Sequence, residues 1–231
     1  MPDPSAATRR VTAWLIALAV TIAAVAVAYA WLDRPIAFFA HSELAHNKLF
    51  GELPKISEWF TVAGVAVFAA LGLRGLTGRP LSRLEAVALL CALSLMSSAE
   101  VKNFLKFVFG RTWPETWIGN NPSLIRDGVY GFNFFHGGRG YESFPSGHTT
   151  AVCAAMSVLW ICYPKWRPLY ALAVAAVVIG LIGADFHFLG DIIAGAFIGT
   201  STGWIAVLMW QAGGPREITD DEWRKKDHRH S

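Results

Sequence analysis

Six stretches of the chain contain no Asp, Glu, Lys or Arg: 11–32, 59–73, 86–99, 149–164, 168–184 and 192–215. Together they take up nearly half of the 231 residues. A helix needs about 20 apolar residues to cross a bilayer. The first and last runs meet that length alone, and the middle four meet it once a polar residue is allowed at each end. The pattern predicts spans near 11–32, 56–74, 84–105, 147–164, 167–187 and 189–211. Helices are preferred to barrel strands because the runs are long and lack strict polar/apolar alternation. The expected fold class is therefore all-α: a polytopic membrane protein with six transmembrane helices in a bundle. Hydrophobic residues make up 54% and charged ones 16%, where soluble domains carry about 25% charged. That balance excludes a disordered chain, a disulfide scaffold and a small soluble domain. Cys91, Cys153 and Cys162 all fall inside apolar runs, where a thiol acts as a small hydrophobe, so neither a disulfide framework nor a metal site is expected.

Twelve of the twenty basic residues fall on one side if the N-terminus is cytoplasmic, among them Arg9, Arg10, Arg74, Arg79, Arg83, Lys165 and Arg167. The positive-inside rule then places both termini inside and the 106–146 connection outside. Three regions are expected: a cytoplasmic N-terminus (1–10), a six-helix membrane domain (11–211) carrying the 106–146 outer loop, and a cytoplasmic tail (212–231). The net charge of +3 does not imply a nucleic-acid partner, because the basic residues sit between apolar runs rather than along one surface. Ala28-Tyr29-Ala30 has the form of a signal-peptidase site. The 22-residue run that contains it exceeds the usual apolar region of about 7–15 residues, which favours an uncleaved span. The segment from Asp33 to Lys55 is expected to form an interfacial loop, and its His41-Ser42-Glu43-Leu44-Ala45-His46 is not the His-Glu-x-x-His zinc arrangement.

Residues with catalytic chemistry collect at the outer ends of spans three to six. Pro145-Ser146-Gly147-His148-Thr149-Thr150 precedes an apolar run. Ser146 is a good helix N-cap, Gly147 leaves backbone N–H groups accessible, and a helix N-terminus favours an anion. His148 projects from the first turn, placed to give a proton to a departing oxygen. In His187-Phe188-Leu189-Gly190-Asp191 the two ionisable residues are four apart. On a helix they share a face, so Asp191 can accept from one ring nitrogen of His187 and aim the other outward. A histidine oriented in this way can itself be the nucleophile. Lys106-Phe107-Val108-Phe109-Gly110-Arg111 sets two cations among aromatics, Arg111 suited to bidentate and Lys106 to point-charge binding of phosphate. Glu100 is expected to be buried in span three and paired with Lys102, Lys106 or Arg111.

With these residues the sequence resembles the type-2 phosphatidic acid phosphatase superfamily, whose membrane members have six spans and an outward-facing site. Its signatures are Lys-x6-Arg-Pro, Pro-Ser-Gly-His and Ser-Arg-x5-His-x3-Asp. The second stands intact at Pro145 to His148, and His187-x3-Asp191 keeps half of the third, with Gly180 and Leu181 in the Ser and Arg places. The first is altered: Lys106-x6 leads to Trp113-Pro114. The resemblance covers the chain from about 56 to 211.

The resemblance implies that His187 attacks phosphorus to form a phosphohistidine while Asp191 orients it. It assigns His148 to protonating the leaving oxygen, and Lys106, Ser146 and Gly147 to the phosphoryl oxygens. No metal and no other cofactor is expected, because basic side chains and backbone N–H groups can neutralise the phosphoryl oxygens themselves. Arg111, two residues before the altered position, is expected to reach the same oxygen, and Arg139 to fill the second missing role. The expected activity is hydrolysis of a phosphate or diphosphate headgroup of a membrane lipid: a polyprenyl diphosphate, phosphatidate, phosphatidylglycerophosphate or a lipid A phosphate. The partners are thus the lipid substrate and the bilayer, in a bacterial inner membrane with the site facing the periplasm or exterior. A lipid-to-lipid phosphotransferase and a non-catalytic lipid-binding or transport protein are the alternatives. Substrate choice is expected to lie in the aromatic-rich 112–144 loop, where His136 serves loop packing.

Overall fold

A computed structural model describes residues 4–78, 81–117 and 119–213. The expected tail beyond Gly213 and the join at Arg79-Pro80 lie outside the described residues. Among the described residues the chain is helical, with no strand.

Six main helices form among the described residues. Helix α1 runs from Ser5 to Leu44, with π turns at Ala28–Leu32 and Ala40–Leu44. Helix α2 is Lys55–Gly75, preceded by a single turn at Lys48–Glu52. Helices α3 (Arg83–Phe109), α4 (Gly147–Cys162), α5 (Arg167–Gly183) and α6 (Leu189–Ala212) follow. Five have the length and hydropathy to cross a bilayer: α1, α2 with its preceding turn, α3, α5 and α6. The sixth expected span, 147–164, folds as the 16-residue α4. It is shorter than the other five and is the central helix of the bundle. Val152, Ala154, Val158 and Cys162 are fully buried, and α3, α5 and α6 pack around it.

Local chemistry sets the ends of these helices. Ser82 and Glu85 form a reciprocal capping box that starts α3, satisfying two N–H groups that the helix leaves unpaired. At the other end Gly110 takes the left-handed conformation (φ 53°) and its N–H bonds back to Lys106. A Cβ at Gly110 would run into the Asn133 carbonyl, so only glycine turns the chain here into the outer loop. Arg74 and Glu85 form a salt bridge between the ends of α2 and α3.

Helix α6 meets α4 along Gly195, Gly199 and Gly203. A Cβ at these positions would strike the Ser146 carbonyl, the Thr150 carbonyl and the Ser157 hydroxyl respectively. Small residues one helical turn apart let two backbones approach closely, which is how apolar helices associate where no hydrophobic force separates helix from lipid. At the top of this contact the Ser146 N–H donates to the Asp191 carbonyl at 3.0 Å.

The segment after Asp33 departs from expectation. Instead of a loop, α1 continues to Leu44. The charge that suggests a span boundary is fully buried and satisfied, Asp33 accepting from the Gly190 N–H at 2.9 Å and from Arg111 at 2.6 Å. Ala28-Tyr29-Ala30 lies within the first π turn, with Ala28 fully buried near Gly190. Glu100 is exposed on α3 rather than buried.

Candidate active site

One end each of α2, α3 and α4, the 110–146 loop and the turn between α5 and α6 surround a cavity of about 330 Å³. Three cations face it, Lys102, Lys106 and Arg139, together with Gly147, His148 and His187. Lys102 and Lys106 share a face because they are four residues apart on α3. The Lys106 ammonium is fixed by donating to the Glu142 carbonyl at 2.6 Å.

His187 sits in the turn between α5 and α6, only 5% exposed. Its Nδ1 lies 3.4 Å from Asp191 Oδ2 and 3.5 Å from the Ser143 hydroxyl. Nδ1 facing the carboxylate leaves Nε2 as the nitrogen opposite, on a ring that lines the cavity. Burial holds the imidazole below its ordinary range, outweighing the opposing pull of Asp191. The expected His187–Asp191 pair is therefore assembled, with a contact longer than an ideal hydrogen bond.

Asp191 is saturated. Oδ2 accepts from Ser143 at 2.6 Å and from the Phe188 N–H at 3.1 Å, and Oδ1 accepts from Arg111 Nη1 at 2.6 Å. Its fixed position derives from three separate segments, of which only the Phe188 contact is local in sequence.

His148 enters from the first turn of α4, its ring centroid 6.2 Å from that of His187. Its Nε2 is 3.5 Å from Glu58 Oε1 of α2. Gly147 lies beside the Lys102 stem, and a Cβ there would sit 3.3 Å from Lys102 Cδ. The glycine thus allows α3 and the start of α4 to close on the cavity together.

Two expected substrate contacts are placed elsewhere. Arg111 does not line the cavity: it is fully buried, its guanidinium held by Asp191 and by Asp33 of α1, each at 2.6 Å. Burial works against its charge, but the two carboxylates prevail and raise its pKa. A cation so engaged has its donor fork turned toward the protein rather than toward a phosphate. The Ser146 side chain is also fully buried, accepting from the Thr149 N–H at 3.4 Å and its hydroxyl at 3.1 Å, so it caps α4 rather than lining the cavity.

Trp113, in place of the signature arginine, acts at one remove. Its indole N–H donates to the Arg139 carbonyl at 2.7 Å, and its ring packs against His187 with centroids 5.1 Å apart. The Lys106 ammonium stands 5.6 Å from the same ring, a cation–π contact. The tryptophan that displaces one arginine therefore anchors the backbone of another that faces the cavity. The other altered positions belong to the core. Leu181 is fully buried, and a Cβ at Gly180 would strike Leu53 and Pro54 at 2.7 Å.

Lys102, Ser143, Glu142 and Glu58 were not singled out as site residues by sequence reasoning. Lys102 alone left a usable signal there, its spacing of four from Lys106. Asp33 is separated from Arg111 by 78 residues and from Gly190 by 157.

Two curated relatives resemble the chain over most of its length. The lipid A 1-phosphatase of Rhizobium etli is 29% identical over 209 residues, covering 84% of this chain and 83% of its own. The lipid A 1-phosphatase of Rhizobium johnstonii is also 29% identical over 209 residues, covering 84% and 79%. No solved structure gives a significant match. The family model described as PAP2 superfamily matches residues 87–214, which takes in most of α3, the 110–146 loop, α4, α5 and α6. The match contains His148, His187 and Asp191 together with the loop that closes over them, and the chain belongs to the PAP2 superfamily.

Proposed function

We propose that this protein removes a phosphate group from a membrane lipid, with the 1-phosphate of lipid A as its substrate, through a phosphohistidine intermediate. The observation that carries the reading is a buried histidine held by a saturated carboxylate and opening on a cavity with three cations. A second histidine stands opposite. The lipid A assignment draws on the two relatives and on membership of the family.

Lys102, Lys106 and Arg139 spread positive charge around the phosphoryl oxygens, and the N-terminal turn of α4 adds N–H donors at Gly147. His187 Nε2 attacks phosphorus, the N–P bond forms and the bond from phosphorus to the lipid oxygen breaks. Protonated His148 gives its proton to that oxygen. Water then attacks the phosphohistidine and gives a proton back to His148, the N–P bond breaks and inorganic phosphate leaves. Asp191 holds the His187 tautomer and steadies the positive charge that develops on the ring. These steps route no bond through a metal ion. The Lys and Arg distribution supports a site on the outer side of a bacterial inner membrane, with both termini in the cytoplasm.

The test is phosphate release from lipid A in detergent, with EDTA present, by wild type and by His187→Ala. Wild type is expected to release the 1-phosphate and to give an acid-labile phosphoenzyme in brief reactions with labelled substrate, and His187→Ala neither. Release undiminished by His187→Ala would sink the mechanism. Transfer of label to an added lipid rather than to water would replace the hydrolase reading with a phosphotransferase.

A further inference from the structure

A second group of ionisable side chains meets outside the cavity. His41 stands in the π turn that ends α1, Glu115 lies two residues beyond Trp113, and Asp185 lies two residues before His187. His41 Nδ1 is 2.9 Å from Glu115 Oε2 and 3.7 Å from Asp185 Oδ2. One ligand atom from each residue can be chosen so that all lie within 4.8 Å of one another. None of the three lines the cavity where the phosphate is proposed to bind.

Asp185 supplies the independent sign that something binds here. It is 2% exposed, yet Oδ2, the oxygen turned toward His41, has no hydrogen-bond partner. A buried carboxylate oxygen left unpaired is costly, and native proteins rarely keep one without a function or an ion to satisfy it. Burial and the nearby Glu115 carboxylate together push the Asp185 carboxyl up to about 7. Two carboxyl groups thus crowd a pocket in which one oxygen lacks a donor.

We propose that His41, Glu115 and Asp185 bind a divalent transition-metal ion, Zn²⁺ being the best fit. One imidazole nitrogen and two carboxylate oxygens form a mixed donor set that suits zinc. Calcium and magnesium favour shells built from oxygen alone. Ligand bonds of about 2.0–2.2 Å in a tetrahedron place ligand atoms roughly 3.4 Å apart. The separations of 2.9 and 3.7 Å bracket that figure, so small side-chain rotations would complete the shell. Three protein ligands leave a fourth position for water, reached past His41, whose side chain is 44% exposed. The ion ties α1 to the outer loop and to the turn that carries His187. It holds those segments in place and takes no part in bond breaking. This assignment does not depend on the phosphatase reading.

The full-length protein, purified in detergent and stripped with EDTA, is titrated with Zn²⁺. Bound metal is measured by elemental analysis after gel filtration, and thermal unfolding is followed in parallel. Wild type is expected to hold about one equivalent more zinc than His41→Ala or Asp185→Asn, and only wild type to gain Tm on adding Zn²⁺. His41 is half exposed, so its removal tests the site without opening the core. The proposal is overturned if wild type and His41→Ala bind the same amount and shift alike, as they would if His41 were simply an imidazolium bridging two carboxylates. A Tm gain with Ca²⁺ or Mg²⁺ and none with Zn²⁺ would overturn the choice of metal.

Discussion

Arg111 donates to Asp191 through Nη1 at 2.6 Å while its Nη2 donates to Asp33 at the same distance. The carboxylate that faces His187 is therefore anchored by a cation outside the cavity, and that cation is balanced by a residue of the first helix. Arg111→Ala would leave two buried carboxylates facing each other without a counter-charge. Removing one partner of a buried ion pair costs about 3–5 kcal/mol. We expect Arg111→Ala to unfold at a much lower temperature in detergent and to lose turnover. Arg111→Lys should not rescue it, because a single ammonium cannot reproduce the guanidinium fork. A wild-type Tm with only a raised KM would return Arg111 to the phosphate-binding role that the sequence suggested.

Ser143 tests the orientation of His187 from the other side. Its hydroxyl donates to Asp191 Oδ2 at 2.6 Å and lies 3.5 Å from His187 Nδ1. Ser143→Ala deletes a hydrogen bond to a charged group, worth about 1.5–3 kcal/mol. The expected result is a fall in kcat of roughly tenfold to a hundredfold with KM little changed. Ser143→Thr, which keeps the hydroxyl, should recover part of it. An unchanged kcat in Ser143→Ala would separate Asp191 from the reaction.

Trp113 and Arg139 are predicted to act as one unit. Arg139→Ala removes a cation facing the cavity and should raise KM by roughly tenfold to a hundredfold, leaving Tm within a few degrees of wild type. Trp113→Phe keeps a ring beside His187 but deletes the indole N–H that holds the Arg139 carbonyl. A neutral hydrogen bond is worth about 1 kcal/mol, so a fivefold effect on KM, approximately, is expected. Because the indole acts through Arg139, the double variant should be little worse than Arg139→Ala alone. Full additivity in that cycle would break the link.

The contact of α6 with α4 should be intolerant of volume. Gly199→Val places its Cβ against the Thr150 carbonyl and the Ala154 backbone, with no flexible side-chain end to move aside. Overpacking of this kind costs about 1–3 kcal/mol, so Tm should fall by several degrees. Gly72→Ala on α2, where a Cβ meets nothing within 4 Å, is the control and should leave Tm unchanged or raise it slightly, since alanine favours a helix over glycine.

What the sequence revealed and what it hid divide along physical lines. Apolar runs reflect burial in lipid or core and are read locally, so the helices were legible. The same apolarity serves lipid-facing and central helices alike, so it does not reveal that α4 stands at the middle of the bundle. The short spacing of His187 and Asp191 announces their pairing, although His187 precedes α6 and meets Asp191 from the turn rather than along a helix face. Arg111 has no such local partner. Its two carboxylates come from 78 and 80 residues away, and only the fold brings them to it. Asp33 misleads for the same reason: an acidic residue at the end of an apolar run reads as a boundary until its buried partners are seen.

The glycine contact between α4 and α6 also bears on how the site is mounted. His148 rides on α4 and His187 on the turn that opens α6, so backbone-to-backbone packing ties the mounts of the two histidines together. The cations are mounted differently: Lys102 and Lys106 on α3, Arg139 on the outer loop. The two histidines thus share one backbone clamp, while the cations around them are held on other elements.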